Sequence, residues 1–406
     1  MKALYKTPLA LAIAAGTLAS APAAFAADEP SLNINLRTLY FDRDFRDGTE
    51  DRYAASQAVH VNYVSPYYNG LIGFDASVYG ALKLDGGKED EFIGMLHNDD
   101  GNTDSYAKLG QAYLKLKLGE NTELRAGRMV LNTALLWDDD SRSTPSSTQA
   151  VKLDTQLGGA DLYAIYSDRA VNMADTTFNR YEAANGEDYE LYIVGGSYGF
   201  ANGLNVQLAH GVADEYLRQS YLNASFPVEL SNGDSMLFDA HYYDGSDDGA
   251  LYGSDYDSTL LNLAGRYTTG DLTMTLSYQK IGGDNGYDYS WDGFENDNHI
   301  LMAWNSVQYS DFNNDDEQSL QVRADYNVAA VPGLSLMARH TEGWDIDAGT
   351  ENDLEESETD LEAKYVFQAG SLEGLSLRAR VAHYESEIGD DVDEFRLIAN
   401  YGFSAL

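Results

Sequence analysis

The segment from Gly374 to Leu406 holds two strict alternations of apolar and polar residues, separated by an acidic stretch. Leu375, Leu377, Ala379 and Val381 share one face, with Ser376, Arg378, Arg380 and Ala382 opposite. Phe395, Leu397, Ala399, Tyr401 and Phe403 then share a face against Arg396, Asn400 and Ser404. Successive strand side chains point to opposite faces, so each segment predicts a β-strand that is greasy on one side and polar or cationic on the other. In a soluble sheet the greasy face is core and the arginines reach bulk water. In a membrane barrel the greasy face meets lipid and the arginines line the lumen.

The same period recurs along the whole chain. Leu32, Ile34, Leu36, Thr38 and Tyr40 oppose Asn33, Asn35 and Arg37, and Ala112, Leu114, Leu116 and Leu118 oppose Tyr113, Lys115 and Lys117. In all, 18 strands are predicted, starting near residues 31, 53, 71, 105, 122, 148, 161, 188, 203, 216, 234, 259, 271, 318, 334, 358, 375 and 394. Their connections alternate in length. Short ones (65–70, 119–121, 156–160, 198–202, 268–270, 329–333 and 369–374) interleave with long ones (84–104, 129–147, 169–187, 244–258, 281–317 and 342–357). This rhythm and the even strand count predict an all-β, transmembrane antiparallel up-and-down β-barrel with short periplasmic turns and long extracellular loops. A soluble sandwich has no reason to gather its long loops at one end. Pro66, Pro227 and Pro332 fall in predicted turns, Pro145 in a long loop and Pro30 before the first strand, so none removes a hydrogen bond from a strand interior. The 30 tyrosines suit aromatic girdles at the two membrane interfaces.

Residues 1–26 read as a cleaved leader. Lys2 and Lys6 flank the start of an apolar run, Leu9 to Leu18, too short to span a bilayer, and Ala24-Phe25-Ala26 supplies the cleavage site. Residues 27–406 then form one barrel domain. They contain no cysteine, so an exported chain must be held by a closed hydrogen-bonded sheet or a large core. The net charge of −40 excludes nucleic acid as a partner, because phosphate contact needs a basic surface. The acids concentrate in the long connections, which leaves the few basic residues for strand faces.

Those basic residues are the candidate chemistry, since a channel selects by what lines its lumen. Arg37, Lys115, Lys117, Arg125 and Lys364 fall on predicted inward positions, as do Arg266, Arg323, Arg339, Arg378, Arg380 and Arg396. The last six lie on neighbouring strands and are candidates for one cationic wall. Arginine presents a rigid fork matched to carboxylate, so such a row can guide an anion. The competing reading is that these residues neutralise inward acids such as Asp325, Asp360 and Glu362. Arg128 to Thr148 is the candidate constriction: it is too long for a hairpin turn, alternates poorly, and carries Trp137, Asp138, Asp139, Asp140 and Arg142. Folded inward, it sets these charges against the arginine wall. An ordinary surface loop is the alternative.

Several stretches resemble the OprD-like family of substrate-specific outer-membrane porins. They are NTELRAGRM at Asn121–Met129, DSRSTP at Asp140–Pro145, NSVQYSDF at Asn305–Phe312, SLQVRADY at Ser319–Tyr326, GLSLMARHTEG at Gly333–Gly343, and the closing LSLRAR and EFRLIANY. The resemblance spans most of the chain. It implies an 18-stranded barrel in a Gram-negative outer membrane, a third long loop constricting the lumen, and a basic ladder conducting small carboxylates such as amino acids and organic or aromatic acids. On the matching motifs, Arg323, Arg339, Arg378 and Arg380 correspond to ladder members and Arg142 to the constriction loop. Two departures stand out: unusually acidic loops, and MVLNTALLW at Met129–Trp137 in place of a proline-containing stretch. They keep open a chitoporin-like branch that passes neutral or weakly cationic sugar oligomers.

The expected partners are a small solute, outer-membrane lipid and lipopolysaccharide, in a monomer or homotrimer, with no cofactor or metal. Asp244-Gly245-Ser246-Asp247-Asp248 offers oxygen ligands to calcium but matches no EF-hand spacing. An enzymatic barrel is not expected, because the seven histidines form no motif and G-x-S-x-G is absent. A structural or adhesin barrel would fill its lumen or carry a globular passenger, and the sequence indicates neither.

Overall fold

The period-two segments become antiparallel strands in the computed structural model, which describes residues 29–46, 51–86, 93–99, 102–292 and 299–406. The predicted leader lies outside these residues. The first strands are β1 (Ser31–Phe45), β2 (Arg52–Val64), β3 (Ile72–Gly86), β4 (His97–Asp99), β5 (Asn102–Asp104), β6 (Tyr106–Lys117) and β7 (Thr122–Met129). Next come β8 (Ser147–Leu157), β9 (Ala160–Val171), β10 (Asn179–Glu182), β11 (Asp188–Tyr189), β12 (Leu191–Gly199), β13 (Asn205–Ala213), β14 (Leu217–Glu229) and β15 (Ser235–Asp247). The chain ends with β16 (Asp257–Thr269), β17 (Leu272–Gly283), β18 (Gln318–Asn327), β19 (Leu334–Ile346), β20 (Leu354–Val366), β21 (Ser376–Ser386) and β22 (Val392–Ser404).

Setting aside the short β4, β5, β10 and β11, the other 18 strands form one sheet in which each pairs with both neighbours. β1 pairs with β22 as well as β2, so the sheet closes on itself. Closure satisfies the backbone groups that lipid cannot. The predicted strand starts hold to within a few residues. β15, β16, β19 and β20 run past the predicted limits, because ladder pairing continues into the acidic segments. The predicted loops 244–258 and 342–357 thereby contract to 248–256 and 347–353, and Asp244 to Asp247 belongs to β15 rather than to a loop. Pro227 is a correction of the same kind: it lies inside β14, opposite Leu237 of β15. There β14 has outrun β13, whose last partner is Ser225, and the open edge accommodates a residue with no N–H.

The faces follow the alternation. Phe74, Leu114, Leu208, Leu276, Val322, Leu361 and Leu397 stand on the outside and form the lipid-facing belt. Many tyrosines, however, are not girdle residues. Tyr181, Tyr189, Tyr216, Tyr221, Tyr243, Tyr256 and Tyr287 are buried in one cluster that binds the outer loops together. Gly110 marks a bulge in β6 opposite Ser77 and Val78, which lets Leu109 and Leu114 both face lipid although an odd number of positions separates them. A Cβ at Gly110 would lie 2.0 Å from the Tyr79 ring, so no larger residue fits there.

Candidate functional site

Among the described residues two loop regions pack against inward positions of the wall, and apolar side chains drive both. In loop 130–146, Leu131, Leu135 and Leu136 are buried against inward positions of the wall. A short turn closes when the Thr133 N–H donates to Leu136 O (2.9 Å) and the Asp138 N–H donates to Leu131 O (2.8 Å). The Asp138 carboxylate accepts from the Leu131 N–H at 2.6 Å and from Thr148 Oγ1 at 2.9 Å. Burial nevertheless pushes this carboxyl up to about 7. The far half of the loop is fixed to β1 and β2. Arg37 donates to both carboxylate oxygens of Asp140 (2.7 and 3.0 Å) and to Arg142 O (2.7 Å), and Ser56 Oγ meets Ser143 Oγ at 2.7 Å.

The predicted loop charges therefore divide. Asp138 holds the turn of its own loop, Asp139 accepts from the Ser141 N–H (2.6 Å) and Oγ (2.8 Å), and Asp140 bridges to Arg37 on β1. Arg142 donates Nε to Ile93 O at 3.0 Å and Nη1 to Ser141 Oγ at 2.8 Å, and lies over Phe41 with 4.9 Å to the ring centroid. Burial and the nearby Arg396 both pull its guanidinium below the usual range.

Residues 284–292 and 299–317 form the second such region, which the alternation gave no reason to place there. Trp291 is fully buried, and its indole N–H donates to Leu135 O in the first loop. Trp304 Nε1 donates to Asp239 of β15 at 2.9 Å, and Gln321 Nε2 donates to Trp304 O at 2.5 Å. The backbone N–H groups of Gln308, Tyr309 and Ser310 all donate to Glu358 of β20. A readable signal was the presence of Trp291, Trp304 and Phe312, bulky aromatics that water-exposed acidic loops do not carry. Between the loops and the wall lies a cavity of about 250 Å³ bordered by Trp137, Tyr221, Asp239, His241, Trp304, Arg323 and Arg339.

The six predicted arginines all point inward, and all but one meet an acid. Arg323 pairs with Asp325 (2.7 Å), Arg339 with Asp360 (2.5 Å) and Arg396 with Glu394 (2.5 Å). Arg378 and Arg380 share Glu362, at 2.5 and 3.2 Å. Arg266 has no carboxylate partner among the described residues and lies over Trp304 at 5.1 Å. Arg43, absent from the predicted wall, shares Glu394 at 2.8 Å. On the far strands Lys115 pairs with Asp75 and Arg125 with Asp154. Among the described residues no cluster of His, Asp and Glu could hold a metal ion.

A closed barrel, apolar outside and charged within, defines a porin. A family model described as outer membrane porin, OprD family, matches residues 23–405. Porin D of Pseudomonas aeruginosa is 33% identical over 450 residues, covering all of both chains. The porin-like protein GalP of Pseudomonas putida is 27% identical and covers 100% of this chain and 99% of its own. The crystal structure of Pseudomonas aeruginosa OpdK with vanillate matches at a TM-score of 0.85 and 27% identity, over 93% of this chain and 100% of that one. The chain belongs to the OprD family of outer-membrane porins. It is a substrate-specific passive channel of the Gram-negative outer membrane rather than an enzyme.

Proposed function

We propose that the barrel passes small carboxylate-bearing solutes, such as amino acids and organic or aromatic acids, along the wall formed by Arg266, Arg323, Arg339, Arg378, Arg380 and Arg396. One observation carries this reading: Arg378 and Arg380 share the single carboxylate of Glu362, and Arg266 has none among the described residues. Among the described residues the buried Nε of Arg266 and of Arg378 and Nη2 of Arg339 have no hydrogen-bond partner, and Nε of Arg380 meets Glu362 as an ion pair at 3.2 Å. The Arg378 side chain keeps 37% of its surface exposed, so a solute carboxylate can reach its forked guanidinium beside the one acid it shares with Arg380. The loop carrying Asp138, Asp139, Asp140 and Arg142 narrows the path in front of this wall. Vanillate, present with the OpdK relative, is a small carboxylate of this kind.

Reconstitution in a planar bilayer under a salt gradient tests the proposal. Anion preference that weakens in the Arg378→Ala, Arg380→Ala double variant supports it; strong cation selectivity unchanged by that variant sinks it. The acidic outer loops favour a second reading, transport of neutral or weakly cationic sugar oligomers. Current block by chitooligosaccharides but not by amino acids or aromatic acids would establish that reading instead.

A further inference from the structure

At its C-terminal end, loop 284–317 rests on three buried carboxyl groups that no cation bridges among the described residues. Glu317 and Glu358 are fully buried and Glu356 is nearly so. Glu358 is held by the backbone N–H groups of Gln308, Tyr309 and Ser310, at 3.1, 2.9 and 2.8 Å. Glu356 accepts from Ser310 Oγ (2.9 Å), Asn314 Nδ2 (3.2 Å) and the Tyr384 hydroxyl. Glu317 accepts from the Asn314 backbone N–H and Nδ2, each at 2.9 Å, through one oxygen only. Its other oxygen has no donor from any neutral or cationic group, and it lies where a Cβ on residue 343 would stand, 2.2 Å from that position. Gly343 thus opens the space in which the Glu317 carboxyl meets that of Glu356.

Two carboxyl groups in hydrogen-bond contact inside a dry pocket cannot both be ionised. The surrounding charges do not relieve them. Asp311 of the loop and Glu358 and Asp360 of β20 are acids, and Tyr384 of β21 is a neutral donor. Arg339 of β19 is engaged by Asp360, and Arg43 and Arg396 by Glu394.

We propose that a proton shared between Glu317 and Glu356 latches residues 308–317 to the barrel wall, so that losing this proton frees that segment to interrupt the pore. Burial, and then the charge of Glu356, raise the Glu317 carboxyl from its ordinary 4.5 to about 10. For a group raised on seating, the linked stability is full below its ordinary value and is lost as pH rises through the seated one. The latch therefore loosens progressively as pH rises from about 4.5 to about 10 and weakens no further above that.

Single-channel recording of the full mature barrel between about pH 6 and pH 11 tests this. The expected wild-type closures multiply as pH rises toward 10, the released-to-seated ratio growing about tenfold per pH unit over that span and levelling above it. Glu356→Gln, whose amide bonds Glu317 without a shared proton, should stay steady throughout. Gly343→Ala places a methyl group against the Glu317 oxygen and should close frequently already at pH 7. Tyr384→Phe should keep the alkaline transition. A wild-type current steady to about pH 11 overturns the proposal, as does a Glu356→Gln channel that closes like wild type or a Tyr384→Phe channel that has lost the transition. If Glu356→Gln does not fold, as judged by heat-modifiable gel migration, a folded Gly343→Ala channel with wild-type current overturns it equally. None of these readouts depends on which solute the pore carries.

Discussion

Phe41 on β1 lies beneath the guanidinium of Arg142, so this arginine of loop 130–146 meets the wall through a ring face rather than through an acid. Arg43 and Arg396 approach the same ring at 5.3 and 4.5 Å. A quadrupole collects three like charges there while Glu394 neutralises two of them. Phe41→Leu keeps most of the bulk and removes the ring face. Stability in urea should fall by about 1–2 kcal/mol, and the open-channel current should become noisier as Arg142 loses its seat. Unchanged noise would show that the contacts to Arg37 and Ser56 hold the loop without the ring.

Asp360 is fully buried against Arg339. Asp360→Asn removes the counter-charge and leaves the guanidinium in the wall. Reversal potentials under a salt gradient should shift toward anions, with a loss of about 1–3 kcal/mol in unfolding free energy. No shift in reversal potential would mean that Arg339 lies off the conduction path.

Asp138 gives a test by acidity. Its carboxyl is raised from 3.8 to about 7, so the folded state binds a proton that the unfolded chain releases. This stabilisation is complete below about pH 4 and is lost as pH rises through about 7. The wild-type melting temperature should therefore drop between pH 5.5 and 8.5 by more than that of Asp138→Asn. Parallel curves for the two proteins would refute this assignment.

Gly110→Ala tests the bulge. The new methyl must displace the buried Tyr79 ring, whose hydroxyl accepts from Gln111 Nε2 at 3.0 Å. A loss of about 1–3 kcal/mol is expected, seen as a lower yield of the heat-modifiable folded form. Gly265→Ala, on β16 with ordinary strand backbone and nothing within 4 Å of the new methyl, is the comparison substitution.

The wall was legible in the chain because period-two alternation is a local property: Leu397 and Arg396 declare opposite faces without reference to any other strand. The faces of Arg323, Arg339, Arg378 and Arg380 followed from the same rule. Their pairing with Asp325, Asp360 and Glu362 was open as an alternative, since adjacent inward positions on neighbouring strands must meet. What alternation could not supply was the course of segments that do not alternate. Loop 130–146 was noticed through its length and charges, but the division of Asp138, Asp139 and Asp140 among different partners depends on contacts with β1 and β8. Loop 284–317 went unplaced because its partners, Glu358, Asp239 and Leu135, are remote in sequence. The tyrosines misled for a related reason, since a ring suits a membrane interface and a loop core equally well.

The pairing of β1 with β22 also bears on assembly. Asn33 lies opposite Ser404, so the seam joins the first strand to the last and can form only after β22 has been made. Two polar contacts cross it on the lumen side: Arg43 to Glu394, and Arg37 Nε to Asn400 Oδ1 at 3.0 Å. Until the seam shuts, both outer strands present unpaired amides and carbonyls, an edge open to any foreign strand. Protection of that edge before insertion falls to something outside the barrel, and the arginines of β1 that reach across the seam act as its clasp.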